Sequence, residues 1–222
     1  SGSRTLPAVT GSDPLVDLQD VSVRAGAVQI LRDVTLAIPQ GETLGVFGAN
    51  GAGKTTLLRL LATLQPMASG RGVVLGADLA SDDRYDIRPR ISYVGHTPGL
   101  YPELTLEENL GFVADARGVD RSEAAEALAT VGLAGAAGRL AERCSYGMQR
   151  RAEFARVLLG SPDLLLLDEP HSALDSDAVD LVDAIVARTV TSGGAAVLVS
   201  HDRERVASLS DRTVDIDHGT LA

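Results

Sequence analysis

The chain is short of several residue types, and each shortage excludes something. Among 222 residues there is one cysteine, Cys144. A single thiol rules out an intramolecular disulfide and any zinc site built from cysteine alone, and it points to a reducing compartment. Long apolar runs are missing. Leu164–Leu167 is typical of their length, whereas a transmembrane helix needs roughly 20 apolar residues. With no apolar segment at its start either, the chain is expected to be soluble. Positive charge is in the minority: 20 Lys and Arg stand against 30 Asp and Glu, a formal net charge of −10. That balance argues against binding nucleic acid by broad phosphate neutralisation. Lysine is almost absent, since Lys54 is the only one among the 20 basic residues. The position that keeps a compact ammonium is the first to inspect.

The remainder is globular in composition. Hydrophobic residues form 45% and charged residues 23%, in a chain long enough for one domain or two small lobes. Residues 1–14, rich in Ser, Gly, Thr and Pro, are expected to be a disordered leader or a cloning remnant. Strand-like and helix-like segments then alternate. Strands are predicted at Leu15–Val23, Val34–Ile38, Thr43–Phe47, Val73–Leu75, Ile91–Val94, Asp163–Leu167, Ala195–Ser200 and, last, Val214–Ile216. Helices are predicted at Lys54–Leu64, Thr105–Ala116, Ser122–Val131, Gly147–Leu159 and Asp175–Thr191. This alternation predicts an α/β fold with a mainly parallel sheet covered by helices. The stretch from about 97 to 150 lacks strands and reads as a helical insertion between two halves of the sheet.

Gly48-Ala49-Asn50-Gly51-Ala52-Gly53-Lys54-Thr55-Thr56 follows a predicted apolar strand and opens a predicted helix. It fits G-x-x-x-x-G-K-[ST] in the strand–loop–helix setting the motif requires. The glycines let backbone N–H groups converge on a phosphate, and the helix adds the positive end of its dipole. Lys54 then reaches the β- and γ-phosphates, and Thr55 offers a hydroxyl to Mg²⁺. The bland alternative is a glycine-rich turn that happens to contain lysine, and the presence there of the only lysine argues against it. Further on, a buried strand delivers Asp168-Glu169-Pro170. Asp168 is suited to hold Mg²⁺ through water, and Glu169 to polarise the attacking water. These residues call for a nucleoside triphosphate and Mg²⁺ without saying what the energy is for.

Three further runs narrow the class. Cys144-Ser145-Tyr146-Gly147-Met148 precedes an Arg-rich helix, His171-Ser172-Ala173-Leu174-Asp175 follows the acidic pair, and Val199-Ser200-His201-Asp202 ends the next strand. With these runs in this order, the sequence resembles the ABC-type ATPases from about residue 15 to the end. The resemblance implies a P-loop NTPase fold of the ABC nucleotide-binding type over 15–222. Such a fold has a mainly parallel core sheet, an antiparallel β subdomain and a helical subdomain at about 97–150. It implies ATP and Mg²⁺ as cofactors, His201 as a switch on the γ-phosphate, and Asp175 in the D-loop. It also implies that Ser145 and Gly147 meet the ATP held by a second copy, so that two chains sandwich two ATP molecules head to tail. Integral membrane permease subunits would be the other partners, seated at a groove near His96–Pro102, with the chain peripheral on the cytoplasmic face of the membrane.

The chain departs from the family pattern at several points. The signature is CSYGM where LSGGQ is common; Cys144 replaces a leucine and reads as a core residue. His96 falls where most relatives carry a glutamine. From there its imidazole would contact Mg²⁺-bound or attacking water, and a second histidine beside the γ-phosphate would add pH dependence. Ala25 stands where an aromatic residue usually stacks on adenine, and only 3% of the chain is aromatic. The neighbouring Arg24 offers a planar substitute.

Within the class, Gly95-His96-Thr97-Pro98-Gly99-Leu100, Glu103-Leu104-Thr105, Glu108-Asn109-Leu110 and Ser145-Tyr146-Gly147-Met148-Gln149-Arg150-Arg151 are similar to the haem-exporter ATPase subunits of cytochrome c maturation. The competing reading is the ATPase of a multidrug, lipid or antibiotic exporter. A soluble ABC protein acting on DNA or ribosomes would carry a coiled-coil insertion or two cassettes, and a small-molecule P-loop kinase would not need the runs at 144–148, 171–175 and 199–202.

Overall fold

The computed structural model describes residues 13–172 and 174–221. The leader expected over 1–14 lies, up to residue 12, outside the described residues. Strands β1 (Val16–Ala25) and β2 (Val28–Ile38) form an antiparallel pair. With β4 (Ser69–Val74) and β5 (Ala77–Asp78) they complete a four-stranded antiparallel sheet in the order β2-β1-β4-β5. The second sheet contains β3 (Thr43–Phe47), β6 (Ile91–Val94), β7 (Leu164–Asp168), β8 (Ala195–Val199), β9 (Arg212–Asp217) and β10 (Thr220–Leu221). Its order is β10-β9-β3-β8-β7-β6, and every pairing is parallel except β9 with β10. The helices are α1 (Lys54–Leu61), α2 (Leu106–Arg117), α3 (Arg121–Thr130), α4 (Tyr146–Leu158), α5 (Ser176–Thr191) and α6 (Arg203–Leu209). The expected architecture, a mainly parallel core sheet with an antiparallel β part and a helical part, is the one observed.

Burial explains the apolar runs. Leu164 and Leu166 of β7 face a core shared with α1 and the antiparallel sheet, while Leu165 and Leu167 face a second core with α4 and α5. A strand covered on both sides has no polar face, hence its unbroken leucines. β8 repeats the pattern, with Ala195, Val197 and Val199 on one side and Ala196 and Leu198 on the other. A third core joins α2, α3 and α4 through Leu106, Leu110, Leu128 and Ala152, and Cys144 is buried in it as expected. Burial also pushes the Cys144 thiol pKa up, which disfavours its reactive thiolate form. α4 belongs to two cores, giving Phe154 and Val157 to the sheet side and Ala152 and Ala155 to the helical side.

Several boundaries differ from the expected ones. α1 stops at Leu61 rather than Leu64 because Thr63 adopts a left-handed φ of 59°. Arg88 holds it there, donating to the Thr63 hydroxyl at 2.8 Å and to its carbonyl at 2.9 Å. Val214–Ile216 is not the last strand: β9 is longer, and β10 follows it as a hairpin partner. α6, β5 and β10 were not anticipated. They are too short for a period to register, and α6 buries only Val206.

Candidate nucleotide site

The parallel sheet brings the functional loops to one edge. Val46 pairs with Val199, Asp168 with Val199, and Val94 with Leu167. The loops after β3, β6, β7 and β8 therefore leave the sheet side by side, where α/β sheets bind ligands. They enclose an open cavity of about 680 Å³ lined by Asn50, Gly51, Gly53, Lys54, Thr55, Thr56, His96, Asp168, Glu169 and His201. Gly48, Ala49 and Ala52 shape the phosphate loop behind that lining. Gly48 has a φ of 150°, and a Cβ there would stand 2.3 Å from the Ile216 carbonyl oxygen, so only glycine fits against β9. Gly53 starts α1 at φ 114°, with no side chain capping the helix and no acidic residue in its first turn. The first N–H groups of α1 are thus left for a ligand, at the positive end of the helix dipole.

The cavity combines one cation with two carboxylates. Lys54 is buried, and its Nζ donates to the Gly48 and Ala49 carbonyls at 2.7 and 2.9 Å. This bridging holds the ammonium across the loop mouth, where phosphate oxygens would meet it. Thr55 Oγ1 donates to Asp168 Oδ2 at 2.7 Å, and Asp168 is 3% exposed. A hydroxyl and a carboxylate side by side make the oxygen donor set that suits Mg²⁺. Among the described residues no three His, Cys, Asp or Glu side chains are grouped to hold a metal alone. A metal ion held by the Thr55 and Asp168 pair alone would have room for further oxygen ligands, such as those of a nucleotide's phosphates.

Glu169 sits one residue beyond β7 in a left-handed conformation, φ 51°. Its N–H donates to the Val199 carbonyl at 2.8 Å, which anchors the loop to β8. Its carboxylate accepts from Ser200 Oγ at 3.0 Å and from the His201 N–H at 3.3 Å, and His201 Nε2 lies 3.4 Å from the other oxygen. His201 is 61% exposed on its side chain, free to reach a ligand in the cavity. His171 packs against Asp183, its Nε2 2.9 Å from the carboxylate, and Arg205 of α6 donates to the same carboxylate at 2.6 Å. This network ties the segment after Glu169 to α5 and α6.

Three expected site residues stand apart from this cavity. Ser145 is exposed and caps α4, its hydroxyl accepting from the Met148 N–H at 3.2 Å. Gly147 lies in the first turn of that helix, and Asp175 caps α5 by accepting from the Ala178 N–H at 3.0 Å. Ala25 and Arg24 do not line the cavity; the Arg24 guanidinium donates to the Ala27 carbonyl of its own turn at 3.0 Å. Sequence reasoning missed Ile30 and Ser172 in the lining, Ser200 behind Glu169, and the fully buried Arg150. Ser200 stood beside His201 in a run already singled out, whereas nothing in the sequence marks Ile30.

The Glu153 carboxyl, 3% exposed, has its pKa raised by burial, opposed by the Gly99 N–H and by Arg150. The Tyr93 hydroxyl pKa is raised by burial and then by the nearby Asp168 charge.

Comparison with known proteins places the chain in a family. The ABC transporter family model matches residues 31–172. The chain is 37% identical to the aliphatic sulfonates import ATP-binding protein SsuB 2 of Burkholderia cenocepacia, over 94% of this chain and 76% of that one. It is 36% identical to the cytochrome c biogenesis ATP-binding export protein CcmA 2 of Cupriavidus metallidurans, over 86% of this chain and 92% of that one. Among solved structures, an ATP-binding subunit of an ABC transporter superposes with a TM-score of 0.86 at 28% identity, covering 93% of this chain and 88% of the other. A dimeric ATP-binding cassette in a post-hydrolysis state, bound to ADP and phosphate, superposes at 0.84 and 27% identity, covering 93% and 96%. Along the described residues no helix is long and apolar enough to cross a membrane. The chain belongs to the ABC transporter family, as an ATP-binding and ATP-hydrolysing subunit.

Proposed function

We propose that this subunit powers export through separate integral membrane permease subunits, from the cytoplasmic face of the membrane, and that its cargo lies on the haem route of cytochrome c maturation. The convergence of Lys54, Thr55, Asp168, Glu169 and His201 on one cavity is the observation that carries the ATPase chemistry. In this reading residues 15–222 are one nucleotide-binding domain, with its helical subdomain at about 97–150. Gly48–Thr56 cradles the phosphates, and Lys54 bridges the β- and γ-phosphates. Thr55 and Asp168, with His96 lining the same cavity, would hold Mg²⁺, which would supply neutralisation of phosphate charge. Glu169 polarises the attacking water, and His201 reads the γ-phosphate.

Ser145, Gly147 and Asp175 act on the ATP of a second copy in a head-to-tail dimer. Two observations support this: they stand off their own cavity, and the first turn of α4 carries no acidic residue to repel a phosphate. Nucleic acid is not an expected partner for a chain of net charge −10. Support for the cargo comes from the cytochrome c biogenesis relatives and from the runs at 95–100 and 145–151. A second reading, uptake of an organic oxyanion, is favoured by the sulfonate-import relative at 37% identity.

Tagged Glu169→Gln chain, loaded with ATP and recovered from gently solubilised membranes, tests the proposal. Small multi-span proteins together with a haem-binding partner support the haem route. A permease accompanied by an extracytoplasmic binding protein supports uptake and removes the haem reading. Ribosomes or DNA alone would remove the transporter assignment of partners altogether.

A further inference from the structure

Four polar side chains follow one another on one face of α4: Tyr146, Arg150, Glu153 and Arg156, at i, i+4, i+7 and i+10. All four grip the loop that carries His96. The Tyr146 hydroxyl donates to the His96 carbonyl at 2.6 Å, and Arg150 donates to the Gly95 carbonyl. Glu153 accepts from the Gly99 N–H at 2.8 Å, and Arg156 donates to the Gly99 carbonyl at 2.9 Å. Arg150 extends further. Its Nη2 donates to the carbonyls of Asp168 at 2.7 Å and Glu169 at 2.9 Å, and its Nη1 lies 3.3 Å from Glu153.

Arg150 is completely buried, with the Phe154 ring 5.7 Å away. An apolar side chain would fill that space without the penalty of desolvating a charge. What calls for a guanidinium is the set of acceptors. Three main-chain carbonyls, one in the His96 loop and two at and just beyond the end of β7, converge on one planar fork, which lysine or an apolar residue cannot serve in the same way. One of those carbonyls belongs to Glu169, whose left-handed backbone needs to be held by its surroundings.

We propose that Arg150 is a positioning residue that couples the two nucleotide sites of the dimer, with Tyr146 as a second tie. The proposal rests on the head-to-tail reading above. The first turn of α4 presents Ser145 and Gly147 to the ATP of the partner copy. One turn further along, the same helix holds the backbone of Asp168 and Glu169 in its own site, and the His96 loop with it. A helix is stiff over one turn, so phosphate contact at its start shifts the carbonyls held by Arg150. ATP in one site thereby sets the position of the water-polarising carboxylate in the other.

The test is hydrolysis rate against ATP concentration for the full chain, as wild type, Arg150→Gln, Arg150→Lys and Tyr146→Phe. Wild type is expected to give a Hill coefficient above one. Arg150→Gln is expected to lower kcat by about tenfold or more, because small displacements of catalytic groups are costly. It should also bring the Hill coefficient toward one, with binding of a fluorescent ATP analogue kept within about twofold. Arg150→Lys, which keeps the charge, should restore part of kcat. Tyr146→Phe removes a single hydroxyl from an exposed residue, so it is expected to fold, and its Hill coefficient decides the matter even if Arg150→Gln fails to fold. An unchanged Hill coefficient in Tyr146→Phe and in every folded Arg150 variant overturns the coupling, as does a wild-type coefficient of one. Sizing the Glu169→Gln chain with ATP separates the two readings. Absence of a dimer overturns the head-to-tail arrangement and the coupling together, whereas a dimer with unchanged Hill coefficients overturns the coupling alone.

Discussion

The starts of α1 and α4 differ from those of the other helices in one respect. α2, α3, α5 and α6 each carry an acidic residue in the first turn (Glu107 and Glu108, Glu123, Asp177 and Glu204) and a side-chain cap from Thr105, Asp120, Asp175 and Asp202. α1 has neither acid nor side-chain cap, and α4 has the Ser145 cap but no acid. A capped, acid-bearing helix start satisfies its dipole from within the chain, whereas one whose backbone N–H groups receive phosphate is served by an open positive end. α1 is open outright, so it is ready to bind nucleotide in a single copy. α4 is half open: its hydroxyl holds the helix, and the uncompensated dipole faces outward.

The largest test of that contrast is Lys54→Ala at α1. Losing two or more charge-assisted bonds should weaken ATP binding by about 100-fold or more. A titration giving near wild-type affinity would mean that α1 is not the phosphate end. Glu169→Gln, in the same cavity, should cut hydrolysis by about 100- to 10,000-fold while ATP still binds. Equal turnover would take the water-polarising role from Glu169. Ser145→Asp sharpens the contrast most, because aspartate caps a helix as well as serine does but adds the acid that α4 lacks. Its melting temperature should hold, with stability within about 0.5 kcal/mol, while hydrolysis falls about tenfold. Full activity would show that no phosphate meets this helix start. Thr105→Ala at α2 should do the reverse, costing about 1 kcal/mol of stability with hydrolysis unchanged.

Acid sharpens the last comparison. The backbone N–H and hydroxyl of Thr105 hold the Glu108 carboxyl pKa below its ordinary 4.5. A depressed pKa adds stability above the ordinary value, and that stability is lost as pH falls through the lower one. The gap between wild type and Thr105→Ala should therefore narrow on acidification below about pH 4.5, as read by denaturant unfolding.

Much of the site was legible because its chemistry is local. The phosphate loop needs glycines and a lysine within nine consecutive positions, and Asp168 and Glu169 announce themselves at the end of an apolar strand. Boundaries were less legible where a distant residue decided them, as when Arg88 fixes Thr63 and ends α1 early. The hold of Arg150 on two chain segments is not legible in the sequence, since its partners lie 55, 18 and 19 residues away.

By itself, then, the sequence determined which strands are buried on both faces, where a glycine-rich loop with its lysine joins a strand to a helix, and which carboxylates end β7, since periodicity and short motifs are properties of neighbouring residues. Tertiary structure decided which loops share an edge, that Ser145, Gly147 and Asp175 lie away from their own cavity, and that one face of α4 fastens the His96 loop to the Glu169 backbone. Those outcomes depend on sheet order and on helix packing, where parallel register places Val46, Val199 and Asp168 level with one another across more than a hundred residues of chain.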